Sequence, residues 1–362
     1  MSRWKKKDDD KKVSKWRISE HSTDHLVQAK DFVGGLLNLR KSEKLYRTYV
    51  KGVRNAALYN EEDKVYVDYK LDGTTTGRLS CTAYTAAKSM GVSFHTLPRE
   101  TKNNIRSMFV APPGFRFITV DYASMELRVL AHIAKEYKMQ KAFKDGIDLH
   151  RYTGSLLFNK SQDKVTKQER QVAKTTSFLI VYGGSKFQLS DIMRIPIRKA
   201  DKVIESYKEV YPGIFQYMEF IEKFIRKNKY AYSIFGRRRN LPDIESKNFA
   251  VASKAVRQGI NFTIQSTASD ILVCSLIGIS DELEKRGMKT RIVSTVHDSL
   301  EIISPDEEIS EACEIIYNEM VNYPYIKKHF GLSFNVPLEI EILIGDSFGD
   351  GEEYFVESIN DN

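Results

Sequence analysis

Two aspartates stand where apolar runs give out. "RFITVD" ends on Asp121 just before a helical pattern begins, and "STVHDSLEII" sets His297 and Asp298 between two β-branched runs. A carboxylate in a strand core is costly unless it is paired, so each needs a reason. Alone, Asp121 reads as a helix N-cap and Asp298 as an acidic turn residue. As the ends of adjacent strands they could instead hold a pair of Mg²⁺ ions. Such ions, about 3.5–4 Å apart, stabilise the attacking and leaving oxygens of an in-line phosphoryl displacement. Mg²⁺ usually takes one or two carboxylates and completes its shell with substrate phosphates. Spacing alone leaves open whether the two strands are neighbours.

"ERQVAKTTSFLIVYGGS" carries Arg170, Lys174, Phe178 and Tyr182 at every fourth position. Each step drifts only about 40° around an α-helix, so the four form one stripe of two cations followed by two aromatics. Phosphates could meet the cations while a base or sugar stacks on Phe178. The same stripe could be a surface face whose aromatics dip into the core. Arg257, Asn261 and Gln265 repeat at the same spacing in "SKAVRQGINFTIQSTASD". Polar groups on an apolar helix need partners, which are either nucleic-acid edges or solvent. "FGRRRNLP" sets Arg237, Arg238 and Arg239 at a turn, suited to backbone phosphates or to water. "GGSK" at 183–186 lacks P-loop spacing, and no GxSxG, HExxH or kinase catalytic loop is present.

Strands and helices must position these groups. Helical pattern covers 25–55, ending near Gly52, and "EDKVYVDYKLDGT" alternates as a strand entering a turn. A strand from Phe115 to Val120 precedes a helix with Leu127, Leu130 and Ile133 on one side. Residues 165–182 form a helix stopped by Gly183 and Gly184. Helix continues over 200–229, 246–286 and 306–322; "YAYSIFGRRRNLPDI" reads as a strand, a basic turn and a proline stop. His297 and Asp298 centre a hairpin, and "VPLEIEILIG" is a final strand. Strands interleave with long helices without the regular beat of doubly wound proteins, so the class expected is α+β.

A chain of 362 residues suggests two or three packed units, and 41% hydrophobic with 11% aromatic content excludes wholesale disorder. The net charge of +8 fits a polyanionic partner or a mildly basic protein without one. Cys81, Cys274 and Cys313 are too dispersed for a disulfide framework or a zinc cluster, which points to a reducing compartment. No apolar run approaches about 18 residues, so no membrane span is expected. The start "MSRWKKKDDDKKVSKW" reads as a charged tail and not as a signal peptide.

In order, these segments resemble the A family of DNA-dependent DNA polymerases, the bacterial polymerase I type. "VDYASMELRVLAH" is similar to that family's motif A, "RQVAKTTSFLIVYGG" to motif B and "TVHDSLE" to motif C. "TTTGRLS", "IRSMFVAPPG", "DLHRYTG", "FGRRRNLP" and "INFTIQSTASD" also match family segments, over roughly residues 40–350. The resemblance implies a right-hand polymerase fold, with an antiparallel palm sheet, helical fingers and a truncated thumb. It implies a flexible tail at 1–20, a thumb remnant and entry to the palm at 21–70, palm with motif A at 71–135, fingers with motif B at 136–245, and palm with motif C at 246–362.

The implied activity is template-directed addition of deoxynucleotides to a primer 3′ end, with two Mg²⁺ ions and pyrophosphate release. Asp121, Asp298 and the carbonyl of Tyr122 are implied metal ligands, and Lys174 the acid for the leaving pyrophosphate. Arg106, His150, Arg170 and Lys174 would hold the triphosphate. Glu126 would crowd the sugar 2′ position, and Phe178 and Tyr182 would pack on the new base pair. Arg78, Arg257, Asn261, Gln265 and His297 would contact primer–template DNA. The expected setting is cytoplasmic, or the host cytoplasm for a viral protein, with no 3′–5′ exonuclease in this chain. A split, phage-type form is also expected, in which a separate polypeptide supplies thumb and exonuclease. A DNA-binding replication subunit without catalysis and a single-subunit RNA polymerase are the alternatives. Four departures stand out: Ser299 for the usual Glu of motif C, Leu179 for Gly in motif B, Ser124 for Gln in motif A, and "SCTAYTAAKSMGVSFHTLPRE" after "TGRL".

Overall fold

The computed structural model describes residues 27–60, 63–84, 92–98 and 104–356; the charged tail 1–20 and part of the segment after "TGRL" lie outside them. Packing divides the chain into one unit of Met1–Val67 with Ala83–Val92 and another of Asp68–Thr82 with Ser93–Asn362. In the first, helices α1 (Val27–Lys44) and α2 (Lys51–Asn60) join through a π-helical turn, Leu45–Val50. Gly52 therefore lies inside a helix and does not end one. Glycine weakens a helix interior by only about 1 kcal/mol, and Tyr49, Val53 and Ala56 continue a buried face across it.

Strands β1 (Val67–Lys70) and β2 (Ser80–Ala83) pair as a short sheet. Then follow β3 (Phe115–Tyr122), α3 (Met125–Ile133), α4 (Tyr137–Lys144), α5 (Leu149–Phe158), α6 (Lys167–Val181), α7 (Lys186–Met193), α8 (Ile197–Val210) and α9 (Pro212–Asn228). The hairpin β4 (Tyr230–Tyr232) and β5 (Arg238–Asn240) leads to α10 (Phe249–Lys285). The chain continues through β6 (Arg291–Val296), β7 (Ser299–Pro305), α11 (Ile309–Tyr317), α12 (Pro324–Phe330), β8 (Ile340–Ser347) and β9 (Asp350–Glu353).

Five strands form one antiparallel sheet in the order β6-β7-β3-β8-β9. Side chains alternate across a strand, and the sheet uses both faces. Ile118, Val120, Tyr122, Leu300, Ile302 and Ile342 enter the main core. Thr119, Asp121, Ser299 and Glu301 lie on the other face. The sequence pattern anticipates every strand of this sheet except β9, whose "DGEE" has none of the β-branched or aromatic residues that strands favour. β9 is held by its backbone pairing to β8.

α10 lies at the centre of the core. It contains an 18-residue window apolar enough by composition to cross a bilayer, contrary to the reading that no such run exists. Yet 78% of that window is buried within the fold, as expected of a core helix.

The arginine run is divided by the fold. Arg238 and Arg239 lie in β5, outside the turn assigned to them, and Arg238 stacks on Tyr230 at 3.8 Å. Arg237 Nε and Nη2 donate to Asp270 Oδ1 at 2.9 and 2.8 Å. Gly77, at φ +78°, makes room for that guanidinium, since a Cβ there would meet Arg237 Nε at 2.6 Å. Asp270 is only 6% exposed. Arg237→Ala strands a buried carboxylate on the single Ser233 hydroxyl at 3.0 Å. This variant is expected to lose about 3 kcal/mol of stability, measured by urea unfolding.

Candidate active site

The register of the sheet answers the question that spacing left open. β3 pairs β7 with Asp121 directly opposite Ser299, and Tyr122 N–H donates to Asp298 O at 3.4 Å. The two aspartates are thus neighbours at one end of adjacent strands. β3 runs two residues beyond Val120, so Asp121 is a strand residue and does not cap α3. Ser124 precedes that helix in the left-handed region, at φ +54°. Tyr122 turns its ring into the core, where its hydroxyl meets Ser275 Oγ at 2.8 Å and Met320 O at 3.0 Å.

His297 and Asp298 alone link β6 to β7, with His297 at φ +61°. Such backbone costs on the order of 1–3 kcal/mol and persists only where neighbours enforce it. Thr295 Oγ1 donates to Ser299 O at 3.0 Å across the turn. His95 stacks on the His297 ring at 5.3 Å, with its Nε2 3.0 Å from Thr295 O.

Facing the aspartates is α6. Its start is a full capping box: Thr166 Oγ1 accepts from Glu169 N–H at 3.2 Å, and Glu169 Oε2 accepts from Thr166 N–H at 3.0 Å. Gly184 N–H returns to Leu179 O at 2.7 Å to close its end. Ala173, Thr176, Ser177 and Ile180 bury one side of the helix. Lys174, Phe178 and Tyr182 line a cleft of about 530 Å³ together with Asp121, Asp298 and Arg78. Lys174 is exposed and has no ion pair among the described residues. Leu179 lies on the far side, packed with Leu189 and Ala200. Gly184 accommodates it: a Cβ there would meet Leu179 Cδ1 at 2.3 Å.

Arg170 does not line the cleft. Its Nε donates to Asp148 Oδ2 at 2.8 Å, tying α6 to the N-cap of α5. Asp148 also caps Arg151 N–H at 3.0 Å, and these bonds draw its carboxyl below the usual range against an opposing burial effect. His150 lines the cleft, 6.0 Å from the Phe178 ring. Burial lowers its imidazole to about 4, so the ring is neutral near pH 7. Its Nδ1 is buried without a partner among the described residues. Arg106 also lines the cleft, stacked 4.7 Å over Phe348 and donating to Leu97 O at 3.2 Å.

A carboxylate network spans the cleft floor. Arg78 Nη2 donates to Glu126 Oε1 at 2.8 Å and to Asp298 Oδ1 at 3.1 Å. Tyr182 Oη donates to Glu126 Oε2 at 2.7 Å. Burial raises the Glu126 carboxyl, partly opposed by Tyr182, Arg78 and Gln265. Gln265 reaches this network, Asn261 is half-buried with Oδ1 unpartnered among the described residues, and Arg257 is exposed, its stem against Gly183. Those three stay outside the cleft lining proper.

These residues fit a divalent cation. Asp298 keeps about a third of its side chain exposed, and Asp121 lies directly opposite Glu341 of β8. Like charges directly opposite repel, which favours a cation between them. No group of three His, Cys, Asp or Glu forms a full metal cage among the described residues. Two carboxylates that leave room for phosphate oxygens match Mg²⁺ better than a protein-only cage does. Sequence reading missed Glu301, Glu341 and His95. For Glu301 a signal was present, because two residues beyond Ser299 in a strand is the same face.

An antiparallel sheet with paired aspartates at neighbouring strand ends, facing a helix of cations and aromatics, defines an α+β polymerase-type fold. The family model for DNA polymerase family A matches residues 2–350, and the chain belongs to that family. It is 33% identical to DNA polymerase I of Treponema pallidum (strain Nichols), over 91% of this chain and 32% of that protein. It is likewise 33% identical to DNA polymerase I of Geobacillus stearothermophilus, over 89% of this chain and 35% of that one. The chain therefore spans about a third of the length of these relatives. Among solved structures, it resembles the POL domain of Pol1 from M. smegmatis in complex with DNA primer-template and dNTP. The TM-score is 0.80 at 28% identity, covering 89% of this chain and 54% of that one.

Proposed function

We propose that this chain catalyses template-directed DNA synthesis, adding deoxynucleotides to a primer 3′ end and releasing pyrophosphate. The observation that carries this reading is the meeting of Asp121 and Asp298 at adjacent strand ends, in one cleft with Lys174, Phe178 and Tyr182. The reading treats 71–135 and 246–362 as palm, 136–245 as fingers and 21–70 as a thumb remnant and entry to the palm. Asp121, Asp298 and the Tyr122 carbonyl would hold two Mg²⁺ ions, which supply Lewis-acid stabilisation of the attacking and leaving oxygens.

The chain's own groups do the rest. Lys174, which has no ion pair among the described residues, meets the triphosphate and donates a proton to the leaving pyrophosphate. Arg106 and the neutral His150 donate hydrogen bonds to phosphate oxygens, while Arg170, through Asp148, holds α5 against α6. Phe178 and Tyr182 give the new base pair an apolar wall. Arg78 and Gln265 are placed to meet minor-groove acceptors, which every correct pair offers, and Arg257, Asn261 and His297 to meet the primer–template strands. The primer-template DNA and dNTP held by the similar M. smegmatis domain support DNA and nucleotides as the partners.

Extension of a primed DNA template with Mg²⁺ and either deoxy- or ribonucleoside triphosphates tests the reading. Deoxynucleotide-dependent elongation is expected. Duplex binding without elongation would favour a binding subunit, and efficient ribonucleotide chains an RNA polymerase. Glu126 carries a further expectation. Its buried carboxylate, gripped by Arg78 and Tyr182, forms a wall on which a 2′-hydroxyl would clash. Glu126→Ala is expected to lower the deoxy-to-ribo incorporation ratio by about 100-fold; an unchanged ratio would remove Glu126 from that role.

A further inference from the structure

Position 299, opposite Asp121, holds a serine, yet an acid lies two residues further along β7. Glu301, the next residue on the same face of β7, is 1% exposed and sits opposite Thr119. Its Oε2 accepts from Thr119 Oγ1 at 2.6 Å and its Oε1 from Ser299 Oγ at 3.0 Å. The Ser299 hydroxyl is also 3.0 Å from the carbonyl of Val296, the last residue before the turn. One carboxyl thus ties together three points: β3 two residues before Asp121, β7 beside Asp121, and the turn that presents Asp298.

A buried carboxyl is a poor source of stability. Burying a carboxyl is costly, and well-packed apolar replacements of buried polar groups are often neutral or stabilising. Burial pushes the Glu301 carboxyl up to about 7, against the hydrogen bonds from Thr119 and Ser299. The group is held at a cost, directly behind the paired aspartates.

We propose that Glu301 is a positioning residue for the divalent-cation site, setting Asp121 through Thr119 and Asp298 through Ser299 in place of an acidic residue at 299. The inference rests on the assignment of Asp121 and Asp298 as cation ligands. Outer partners of metal ligands typically change affinity by about 10–100-fold when removed. Glu301 touches neither substrate nor cation; it acts through the two hydroxyls.

The test is Mn²⁺ binding, followed by electron paramagnetic resonance, to the chain with a dideoxy-terminated primer on template, where no turnover occurs. Glu301→Val is expected to weaken Mn²⁺ by about tenfold, with a thermal midpoint no lower than the parent's. Its extension rate is expected to recover at high Mg²⁺. Glu301→Gln, whose amide oxygen still accepts one hydroxyl, should lie between the two. The double variant Ser299→Glu/Glu301→Val, which moves the acid to the rung of Asp121, should regain most of the affinity. Parent-like Mn²⁺ binding in Glu301→Val, or a double variant no better than the single one, overturns the proposal. If Asp121→Ala also leaves Mn²⁺ binding unchanged, the cation site itself is misassigned. If Asp121→Ala abolishes binding while Glu301→Val does not alter it, only the role of Glu301 fails.

Discussion

Asp298→Ala and Asp121→Ala are each expected to slow single-nucleotide extension by about 10³-fold, while primed duplex still binds within a few-fold of the parent. The Lewis-acid contribution of a bound cation is several kcal/mol, and about 4 kcal/mol corresponds to that factor. Duplex binding should survive because Arg78, placed to meet the DNA, keeps a carboxylate partner in either variant. With Asp298 removed, Arg78 keeps Glu126 at 2.8 Å, and Glu126 keeps Tyr182 at 2.7 Å. The fold should survive too, since Asp298 is a turn residue and Asp121 lies at the end of β3 on its polar face. Rapid-quench extension alongside fluorescence anisotropy with labelled duplex separates the two effects. Rates within tenfold of the parent in either variant would refute the assignment of the pair as cation ligands.

Lys174→Ala is expected to be the next most damaging change, lowering the extension rate at saturating triphosphate by about 10²–10³-fold. The stripe on α6 contains two cations, and the fold separates their roles. Arg170 is engaged by Asp148 at 2.8 Å and stands outside the cleft, whereas Lys174 lines it without an ion pair among the described residues. Arg170→Ala should therefore act mainly on triphosphate affinity, through the α5–α6 junction, with a smaller loss of maximal rate. Measuring rate against triphosphate concentration for both variants distinguishes them. Equal losses of maximal rate would show that the cations share one role and that the ion pair opens when substrate binds.

Leu179 shows where a local reading of the sequence misleads. As a departure in motif B, a leucine in place of glycine reads locally only as a better helix former. Within the fold it faces away from the cleft and packs against Leu189 and Ala200, with Gly184 leaving space for it. There it packs α6 against α7 and α8. The arginine run misleads in a similar way, because a string of like charges cannot reveal that Asp270, distant in sequence, claims one member.

Much of this protein was legible from residue order alone. The hairpin around His297 and Asp298, the α6 stripe and its glycine stop, the long α10 and the α+β class all follow from local periodicity and from turn and cap chemistry. The order of the segments that resemble motifs A, B and C also sufficed to indicate the family. Tertiary structure decided what depends on strand register and on contacts far apart in sequence. Only the pairing of β3 with β7 makes Asp121 and Asp298 neighbours, and only it sets Glu301 across from Thr119. Only the packing of α5 on α6 assigns Arg170 to Asp148 and leaves Lys174 to the cleft. Periodicity tells which face of a strand a side chain occupies. Which strand lies alongside is settled by burial of the opposite face, and that is a property of the whole core.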